Sequence, residues 1–517
     1  MTTAGPDTPV KRLHHWFLDG LARNPHGTAL RLNDRRWTYD EADRTARSWA
    51  AALHTGPRPP RRVGILAAKS EESYLGFLAA LYAGATAVPL NPEYPVARNQ
   101  EIAAAAALDA LVVDPAGAAQ LDALAAAAHP AVVLAPRHDR WAPAAAGTPV
   151  RVPDPAADHP PATGPDDGPA YILFTSGSTG RPKGVPIRHG NISAFLDATL
   201  PRFDFGPDDT FGQVYELTFD LSMFEVWAAW ASGACLTVLN RLQALNPRRY
   251  LRDHRITVWT STPSLVAAVR TRDLLRPGDL PGLRHTVFCG EPLPAESAAY
   301  WCTVAPHTVL DNLYGPTELT VACTGHRWDP ATDAPTGTVP IGRLHPGLRG
   351  LLLDEDGRTD ATTGELCVTG PQMFDGYLDP ANDADRFLDH DGHRWYRTGD
   401  RVRRTADGGL VHLGRSDGQV KIQGYRIELS EVERAVRTAA PQSDAAAFAV
   451  PGPAGPVLVA FVLGEDTPDL TALAKRLAEL LPPYMLPKHL WARPDPPLNP
   501  NGKTDRLRLR AEAADRI

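Results

Sequence analysis

The chain has 517 residues, of which 43% are hydrophobic and 22% are charged, and this balance excludes a largely disordered protein. A chain of this length exceeds one ordinary hydrophobic core, so at least two folded units are expected. The formal net charge of −7 is small and no Lys/Arg-rich stripe is present, so nucleic acid is not expected as a partner.

The cysteines and the N-terminus indicate where the protein works. The five scattered cysteines lack any Cys-x-x-Cys spacing, so they predict reduced thiols rather than a metal or redox site. The N-terminus lacks the apolar core of a signal peptide, and nowhere do about 18 apolar residues run together. The sequence therefore predicts a cytoplasmic protein that has no membrane partner.

Short apolar runs alternate with amphipathic segments from Val63 onward. Residues 63–68 predict a strand, residues 70–84 a helix and residues 85–91 the next strand. Further strands are predicted at 110–114, 131–135, 171–174, 236–239, 256–260 and 286–288. Strands that alternate with helices predict an α/β fold in which largely parallel sheets are packed with helices.

Ser70 is placed to cap the helix predicted at 70–84. One face of this helix is predicted to carry Tyr74, Leu75, Leu78, Leu81 and Tyr82. Two stretches depart from the alternation. The Ala-rich residues 101–147 predict a surface helix and a loop, and the Pro/Gly/Asp-rich residues 153–170 predict a linker or surface loop.

The character of the sequence changes near residue 414, where a charged segment precedes a second, smaller α/β run. Ser430 and Glu433 predict a capping box for a helix at 430–439. Strands at 448–450 and 457–464 and a closing helix at 469–481 follow. We therefore predict a large domain over residues 1–413 and a small domain over residues 414–517.

The most informative motif is FTSGSTGRPKGV, residues 174–185, directly after a predicted strand. Its glycines, hydroxyls and lysine can surround phosphate oxygens, although the spacing is not that of a Walker A loop. A Ser/Gly-rich linker is the alternative. The predicted phosphate-binding residues are Thr175, Ser176, Gly177, Ser178, Thr179, Gly180 and Lys183.

This loop resembles the signature of the adenylate-forming superfamily, which comprises acyl-CoA synthetases, luciferases and amino-acid adenylation enzymes. The resemblance continues from about residue 13 to residue 507 through TFDLSMFEVW, NLYGPTE, GELCVTGPQMFDGYL, YRTGD, GRSDGQVKIQGYRIELSEVE, LPPYMLP and NPNGKTDR. It implies an enzyme that uses ATP and Mg²⁺. It also implies a small, mobile C-terminal α+β domain, joined by a hinge at residues 414–418 with Asp417 as its pivot.

The resemblance also implies roles for single residues. Lys503 is implied as the catalytic lysine, which reaches from the small domain to the charge that develops when a carboxylate attacks the α-phosphate. Glu318 is implied as the Mg²⁺ ligand, Tyr314 as the adenine-stacking ring, and Asp400 with Arg415 as the ribose and phosphate contacts. The remaining implied nucleotide contacts are Gly290, Glu291, Pro292, Asn312, Leu313, Gly315, Pro316 and Thr317.

Asp220 lies where amino-acid-activating members place the carboxylate that pairs with the substrate's α-ammonium, although it could instead serve only as a helix cap. By the same resemblance, the side-chain pocket comprises Leu221, Phe224, Thr260, Val287, Cys289, Leu313, Val321 and Ala322. None of these residues carries a charge, so a small neutral amino acid is expected.

Several motifs, among them FDLSMFE, FCGEPLP and YGPTELTVACTG, most resemble those of D-alanine–carrier-protein ligases. Leu313 departs from that pattern, where threonine is usual, so L-alanine, proline and other small residues stay open. Only AEAADRI follows NPNGKTDRLRLR, so the acceptor is expected to be a separate phosphopantetheinylated carrier protein. An acyl- or aryl-CoA synthetase and a non-catalytic scaffold are the alternatives.

Overall fold

The computed structural model describes residues 10–137, 147–164, 167–177, 180–240, 243, 246–333, 336–415, 418–464, 468–498 and 504–517. Its α-helices are α1 (Leu13–Arg23), α2 (Tyr39–Leu53), α3 (Glu71–Tyr82), α4 (Val96–Ala105), α5 (Leu121–Ala128), α6 (His189–Thr199), α7 (Leu221–Ser232), α8 (Pro247–Asp253), α9 (Pro263–Thr271), α10 (Ala295–Val304), α11 (Leu429–Ala439), α12 (Leu470–Ala478) and α13 (Arg506–Asp515).

The strands are numbered in chain order. The first half of the chain contains β1 (Thr28–Leu32), β2 (Arg35–Thr38), β3 (Arg62–Leu66), β4 (Thr86–Leu90), β5 (Ala110–Val113), β6 (Val132–Leu134), β7 (Val150–Arg151), β8 (Pro169–Thr175), β9 (Lys183–Arg188), β10 (Thr210–Gln213), β11 (Cys235–Val238) and β12 (Val258–Ser261). The second half contains β13 (His285–Phe288), β14 (Val309–Tyr314), β15 (Thr324–Arg327), β16 (Arg343–Leu344), β17 (Arg349–Leu353), β18 (Thr363–Thr369), β19 (Phe387–His390), β20 (His393–Arg404), β21 (Leu410–Arg415), β22 (Gln419–Ile422), β23 (Tyr425–Glu428), β24 (Asp444–Val450), β25 (Val457–Leu463) and β26 (His489–Arg493).

Two large sheets confirm the predicted α/β fold. One has the strand order β7-β6-β5-β3-β4-β8-β9 and is parallel except for the final β8–β9 pair. The other has the order β16-β15-β14-β13-β12-β10-β11-β1-β2, with a parallel centre from β14 to β1. Each strand predicted from an apolar run overlaps an observed strand, because runs of buried β-branched and aliphatic residues are typical of central parallel strands.

An antiparallel sheet follows the two large sheets and was not predicted. Its order is β17-β18-β20-β19, with β21 also paired to β20. The charged and aromatic strands of this sheet, such as β20, show a weaker apolar run than the central parallel strands. This sheet carries Asp400 and Arg415, which pair directly across β20 and β21.

Helix α3 corrects two expectations. All twelve of its residues are buried, so it has no single apolar face, because it is packed on every side. Ser70 does occupy the N-cap position, but its side chain makes no capping hydrogen bond. Its hydroxyl is buried without a partner among the described residues, and its carbonyl accepts from the Ser73 amide at 3.1 Å.

The Ala-rich stretch 101–147 is less superficial than predicted. It holds the end of α4, the buried strands β5 and β6, and helix α5 between them. Ile102 and Leu121 are buried in the cluster that covers one face of this sheet, so the small alanines permit close packing. The residues described from 153 to 164 form no helix or strand, as predicted for a loop.

The C-terminal part of the chain has its own hydrophobic clusters. Strands β22 and β23 form a hairpin, and β24-β25-β26 form a small mixed sheet against α11, α12 and α13. The buried members of these two clusters lie between Ile422 and Ala513, whereas those of the other clusters lie between Leu13 and Leu410.

The predicted capping box at Ser430 and Glu433 is wrong. Helix α11 begins at Leu429 with Glu428 as the N-cap, so Ser430 already lies inside the first turn. The Glu433 carboxylate accepts instead from the Ala447 amide at 2.9 Å and from Arg506 at 2.7 Å. It therefore ties α11 to β24 and α13.

Candidate active site

A cleft of about 790 Å³, measured with its open mouth, lies at the carboxyl ends of parallel strands. The end of β8, the loops after β13 and β14, and the N-terminal end of α7 form its walls. Ligands of open α/β sheets bind in this location, because the strand ends leave a crevice there. The remaining wall comes from the β22–β23 hairpin, which inserts Gly424, Tyr425 and Arg426.

The predicted phosphate loop opens the cleft on one side. Thr175 and Ser176 line it, and the Ser176 hydroxyl donates to the Arg426 carbonyl at 2.7 Å. Gly180 does not line the cleft, and its carbonyl accepts from Arg434 of α11. Ser178 and Thr179 lie outside the described residues. The part of the loop that is described is therefore in contact with the C-terminal part of the chain.

Two more residues of this motif lie behind the cleft wall. Gly177 packs so closely that an added Cβ would lie 2.1 Å from the Arg181 carbonyl oxygen. The Lys183 side chain is buried, with its Nζ 5.7 Å from the centre of the Tyr377 ring. Burial and the neighbouring charge of Arg386 lower the pKa of Lys183.

Glu318 is fully buried in the turn after β14, next in sequence to Thr317, which lines the cleft. Its two carboxylate oxygens accept from Arg426 Nη1 at 3.0 and 3.1 Å, and Oε1 also accepts from the Tyr377 hydroxyl at 2.5 Å. Burial alone would raise the pKa of Glu318, but the Arg426 charge and the Tyr377 hydrogen bond lower it below its usual value. The carboxylate is therefore ionised at neutral pH.

Glu318 meets one of the requirements for the Mg²⁺ ligand that the resemblance implies. A single carboxylate together with nucleotide phosphates is a usual ligand set for Mg²⁺. Among the described residues there is no group of three or more His, Cys, Asp or Glu side chains that could hold a metal by itself. The carboxylate is of the right kind, but the guanidinium of Arg426 contacts both of its oxygens.

Asp400 is buried on β20 within a dense hydrogen-bond network. Its oxygens accept from the Tyr314 hydroxyl at 2.8 Å, from His412 Nε2 at 3.0 Å and from Arg415 Nη1 at 3.1 Å. Burial opposes ionisation, but the hydrogen bond from His412 and the charges of Arg415 and Lys421 hold the pKa of Asp400 well below its usual value. The structure thus brings together Asp400, Arg415 and Tyr314, for which the resemblance implies nucleotide contacts.

Asp220 lies at the start of α7 and faces the cleft. Its carboxylate does not cap the helix and accepts instead from the Thr317 hydroxyl at 2.6 Å. Burial raises the pKa of Asp220 to about 6, although the Thr317 hydrogen bond and the charge of Lys421 lower it in part. An anionic group that is poorly solvated and directed at a cleft is suited to a cationic ligand.

The predicted side-chain pocket is divided by the structure. Leu221, Cys289 and Val321 line the cleft, whereas five other predicted residues are buried behind it: Phe224, Thr260, Val287, Leu313 and Ala322. Phe224 lies in an aromatic cluster with Phe195, Phe203 and Phe205. These five residues support the wall rather than form its surface.

The predicted nucleotide residues are divided in the same way. Gly290, Gly315, Pro316 and Thr317 line the cleft, but Glu291, Pro292, Asn312, Leu313 and Tyr314 do not. The Asn312 amide donates to the Pro340 carbonyl at 2.9 Å, which holds the loop before residue 341. The Glu291 carboxylate accepts from the Ser264 and Gly424 amides, both at 2.9 Å.

Cys289 and Cys323 are buried thiols near the cleft, and only Cys289 lines it. Burial raises the pKa of Cys289 to about 12, and it raises the pKa of Cys323 as well. Lys503 and Asp417 lie outside the described residues, so their predicted roles stay predictions. Within the described ranges, residues 489–517 contribute no side chain to the cleft wall.

The sequence reasoning missed several residues of the site, among them four that make the contacts described above or line the cleft beside them: Tyr377, Lys421, Tyr425 and Arg426. All four lie inside motifs that had been quoted, GELCVTGPQMFDGYL and GRSDGQVKIQGYRIELSEVE. A signal was present for Lys421 and Arg426, because both are basic residues close to Gly424 in a motif that carries the resemblance, and Arg and Lys side chains bind phosphate groups. Lys421 Nζ lies 5.5 Å from the centre of the Tyr314 ring.

Comparisons with known proteins match the whole chain. The family model of the AMP-binding enzyme matches residues 17–378, and that of the AMP-binding enzyme C-terminal domain matches residues 431–503. AMP-binding adenylation enzymes use ATP with Mg²⁺. Among the described residues, none of the helices has the length and hydropathy needed to cross a bilayer.

Curated relatives include both long and short proteins. The AMB antimetabolite synthetase AmbB of Pseudomonas aeruginosa is 35% identical over 508 residues, which are 96% of this chain and 38% of AmbB. The L-proline--[L-prolyl-carrier protein] ligase of Pseudomonas fluorescens is 34% identical over 512 residues, which are 97% of this chain and 99% of that ligase. The chain thus spans well under half of the first relative and nearly all of the second.

Solved structures show the same architecture. The crystal structure of IdnL7 is 41% identical with a TM-score of 0.74, and the match covers 98% of this chain and 100% of that one. The Vibrio cholerae adenylation domain AlmE, in complex with glycyl-adenosine-5'-phosphate, is 29% identical with a TM-score of 0.86, and the match covers 100% of both chains.

Proposed function

The chain belongs to the AMP-binding enzyme family, and on this basis we propose that it is a ligase that activates a small neutral amino acid with ATP. The product of the first step is an aminoacyl adenylate, and pyrophosphate leaves. The aminoacyl group then passes to the phosphopantetheine thiol of a separate carrier protein. The carrier-protein ligase among the relatives supports this second step, because the match covers 97% of this chain and 99% of that ligase.

The observation that carries the proposal is the position of Asp220. Asp220 lines the same cleft as Gly290 and Gly315, and its carboxylate accepts from the Thr317 hydroxyl, 2.6 Å away. An α-ammonium group bound here would pair with it, whereas a simple fatty or aryl acid would leave this poorly solvated anion without a partner. This favours an amino acid over the substrates of acyl- and aryl-CoA synthetases.

The first step requires positioning and charge neutralisation rather than a base. A substrate carboxylate is already ionised at pH 7, so it can attack the α-phosphate directly. We assign Thr175, Ser176 and the rest of the phosphate loop to the triphosphate, and Asp400 with Arg415 to the ribose. Lys503 is proposed to neutralise the charge that develops on the α-phosphate. Glu318 is proposed to hold Mg²⁺, which would offset the charge of the phosphates.

The size of the substrate follows from the cleft wall. Leu221, Cys289 and Val321 are apolar, and the bulky Phe224 and Leu313 support them from behind. This favours a side chain of one to three carbons, with D-alanine as the first candidate and L-alanine or proline as the alternatives. The glycyl adenylate named in the AlmE structure supports the same small class.

The test is an ATP–pyrophosphate exchange assay over D- and L-amino acids, with propionate and benzoate as acids that lack an amine. We expect exchange with one small neutral amino acid, at least tenfold above exchange with the amine-free acids. Exchange with propionate or benzoate alone would contradict the proposal.

We propose that the small domain, residues 414–517, pivots on Asp417 between the two half-reactions. In the described arrangement the β22–β23 hairpin, and no side chain of residues 504–517, faces the cleft. We assign the thiol step to this arrangement, in which the hairpin is docked, and the first step to Lys503. Incubation of the enzyme with ATP, the amino acid and a phosphopantetheinylated carrier should give a carrier whose mass increases by one aminoacyl group. If adenylate forms but no carrier is labelled, the proposed transfer to a carrier protein is contradicted and only the proposed first step stands.

A further inference from the structure

The contact between Arg426, which lines the cleft, and the buried Glu318 joins the two parts of the chain. Arg426 lies on β23, and Glu318 lies in the turn after β14, 108 residues earlier. Both side chains are largely withdrawn from solvent, with 14% and 1% of their surfaces exposed. One guanidinium nitrogen contacts both carboxylate oxygens, so the pair is close and poorly hydrated.

Arg426 and a divalent cation would compete for the Glu318 carboxylate, because Arg426 Nη1 already contacts both of its oxygens. One of its oxygens also accepts from the Tyr377 hydroxyl at 2.5 Å. A divalent ion added here would meet the positive charge of Arg426 in a poorly hydrated site, where like charges repel strongly. Arg426 must leave before a cation can bind Glu318.

The hairpin that carries Arg426 is held on the large domain at several further points. The Arg426 carbonyl accepts from Ser176 at 2.7 Å, and the Gly424 amide donates to Glu291 at 2.9 Å. Arg434 of the following helix donates to the Gly180 carbonyl. The contacts of the phosphate loop and of Glu318 with the hairpin are therefore made and lost together.

From this geometry we propose that Arg426 and the divalent cation are alternative partners of Glu318, so that metal binding and docking of the β22–β23 hairpin exclude each other. When the metal departs, the buried Glu318 anion would be left without a cationic partner, and Arg426 takes the place of the metal. Arg426 is thus a positioning residue that couples metal release to the docked arrangement. This inference depends on the proposed role of Glu318 as the metal ligand.

The first test measures Mn²⁺ affinity by the electron paramagnetic resonance signal of free Mn²⁺, with saturating α,β-methylene-ATP as the nucleotide. Removing the competitor in Arg426→Ala should tighten the apparent dissociation constant about tenfold, if the docked state is about 90% populated. Arg426→Lys should restore most of the wild-type value. Arg437→Ala is the matched control, because Arg437 is an exposed arginine on α11 that pairs with Asp444 at 2.9 Å and does not contact Glu318.

The second test follows the hairpin directly by hydrogen–deuterium exchange of the peptide that covers residues 419–428. In the wild type, Mn²⁺ added to the nucleotide-bound protein should speed exchange of this peptide several-fold, because the Gly424 amide loses Glu291. In Glu318→Gln, exchange should be fast without metal, and Mn²⁺ should add nothing.

The two tests separate failure of this inference from failure of the proposed function. If Glu318→Gln weakens Mn²⁺ binding but Arg426→Ala leaves it unchanged and the metal does not affect hairpin exchange, the competition is refuted and the metal site stands. If Glu318→Gln binds Mn²⁺ as tightly as the wild type, Glu318 is not the ligand, and the metal assignment fails together with this inference. Thermal melting of each variant confirms that it is folded.

Discussion

At the scale of single residues, three carboxylates around one cleft have pKa values that differ because their partners differ. Asp220 accepts a hydrogen bond from the Thr317 hydroxyl and is influenced by the charge of the Lys421 ammonium. The effect of burial outweighs both and raises the pKa of Asp220 to about 6. Glu318 and Asp400 are also buried, but each contacts a guanidinium, and the pKa of each is lowered. Groups whose environments separate their pKa values usually have different roles. Here the difference between the three pKa shifts favours Asp220 as the residue that pairs with a cationic group of the substrate.

The pH dependence of substrate binding tests this role. Below pH 6 the free enzyme carries neutral Asp220, and an α-ammonium then binds only if the carboxyl releases its proton. We therefore expect full affinity above pH 7 and a KM for the amino acid that rises about tenfold per pH unit below pH 6. Steady-state exchange kinetics from pH 5 to 8 measure this.

In Asp220→Asn, KM should be higher by two orders of magnitude and should no longer rise between pH 7 and 5. A wild-type KM that stays flat across pH 6 would contradict the assignment.

Two valines offer a matched test of the pocket. Val321 lines the cleft and Val287 lies behind it, although both are buried. Val321→Ala should shift the ratio of kcat/KM toward side chains with one or two more carbons by about tenfold, since a methylene is worth about 1–3 kcal/mol. Val287→Ala should lower thermal stability and leave the ratio within about twofold. Equal shifts in both variants would place the substrate elsewhere.

At the scale of elements, the β22–β23 hairpin depends on Gly424. Its φ is +85°, and a Cβ there would lie 2.6 Å from Thr262 Cγ2, so even alanine cannot be accommodated while the hairpin is docked. Gly424→Ala should reduce carrier loading at least a hundredfold and leave pyrophosphate exchange within about threefold, because only docking is prevented. Parallel assays of both half-reactions decide this. Equal losses in both would mean that the hairpin serves the first step as well.

A second contact across the same interface is the buried pair of Arg98 on α4 and Glu431 on α11, 2.5 Å apart. Removing one member of a buried pair costs about 3–5 kcal/mol when the other stays buried. In Arg98→Ala, Glu431 can instead regain water by undocking, so the docked state should lose population. Faster hydrogen exchange over residues 429–439 measures this, and unchanged exchange would show that the pair contributes little. Arg47→Ala, far from α11, is the control.

Strands and helices were predictable from the sequence where burial produces a simple pattern of apolar residues. The central strands β3, β4 and β5 consist of buried aliphatic residues, and each was found within two residues of its bounds. Helix α3 was found, but its complete burial was not, because a face pattern cannot reveal what packs on the opposite side. The start of α11 was placed one residue late, since a Ser-x-x-Glu spacing occurs inside helices as well as at their caps.

At the scale of the whole molecule, the site residues within one motif were predictable and the contacts between motifs were not. Tyr314, Asp400 and Arg415 come from separate motifs, and only the resemblance to a known family placed them together. The pairing of Arg426 with Glu318 depends on how the hairpin docks, which no local pattern in either motif encodes. Likewise, both Val321 and Val287 are apolar in the sequence, so the sequence could not show that Val321 lines the cleft and Val287 lies behind it.

The separate hydrophobic clusters predict that the small domain folds alone. Leu473, Leu477 and Met485 are buried only among residues of the C-terminal part, and Phe448 and Phe461 pack against α13. A fragment of residues 414–517 should therefore show a cooperative thermal transition by circular dichroism, since about 100 residues suffice for one core. A fragment without such a transition would show that docking on the large domain is needed for folding.

The high pKa of Cys289 has a consequence for the fidelity of the second half-reaction. The proposed acceptor is a thiol, and a thiolate attacks a mixed anhydride far faster than a neutral thiol does. Cys289 lies in the wall beside the proposed adenylate, yet with a pKa of about 12 almost none of it is thiolate at pH 7. If the proposed function holds, Cys289 should be acylated only slowly, so that the aminoacyl group stays on the adenylate until the acceptor thiol binds.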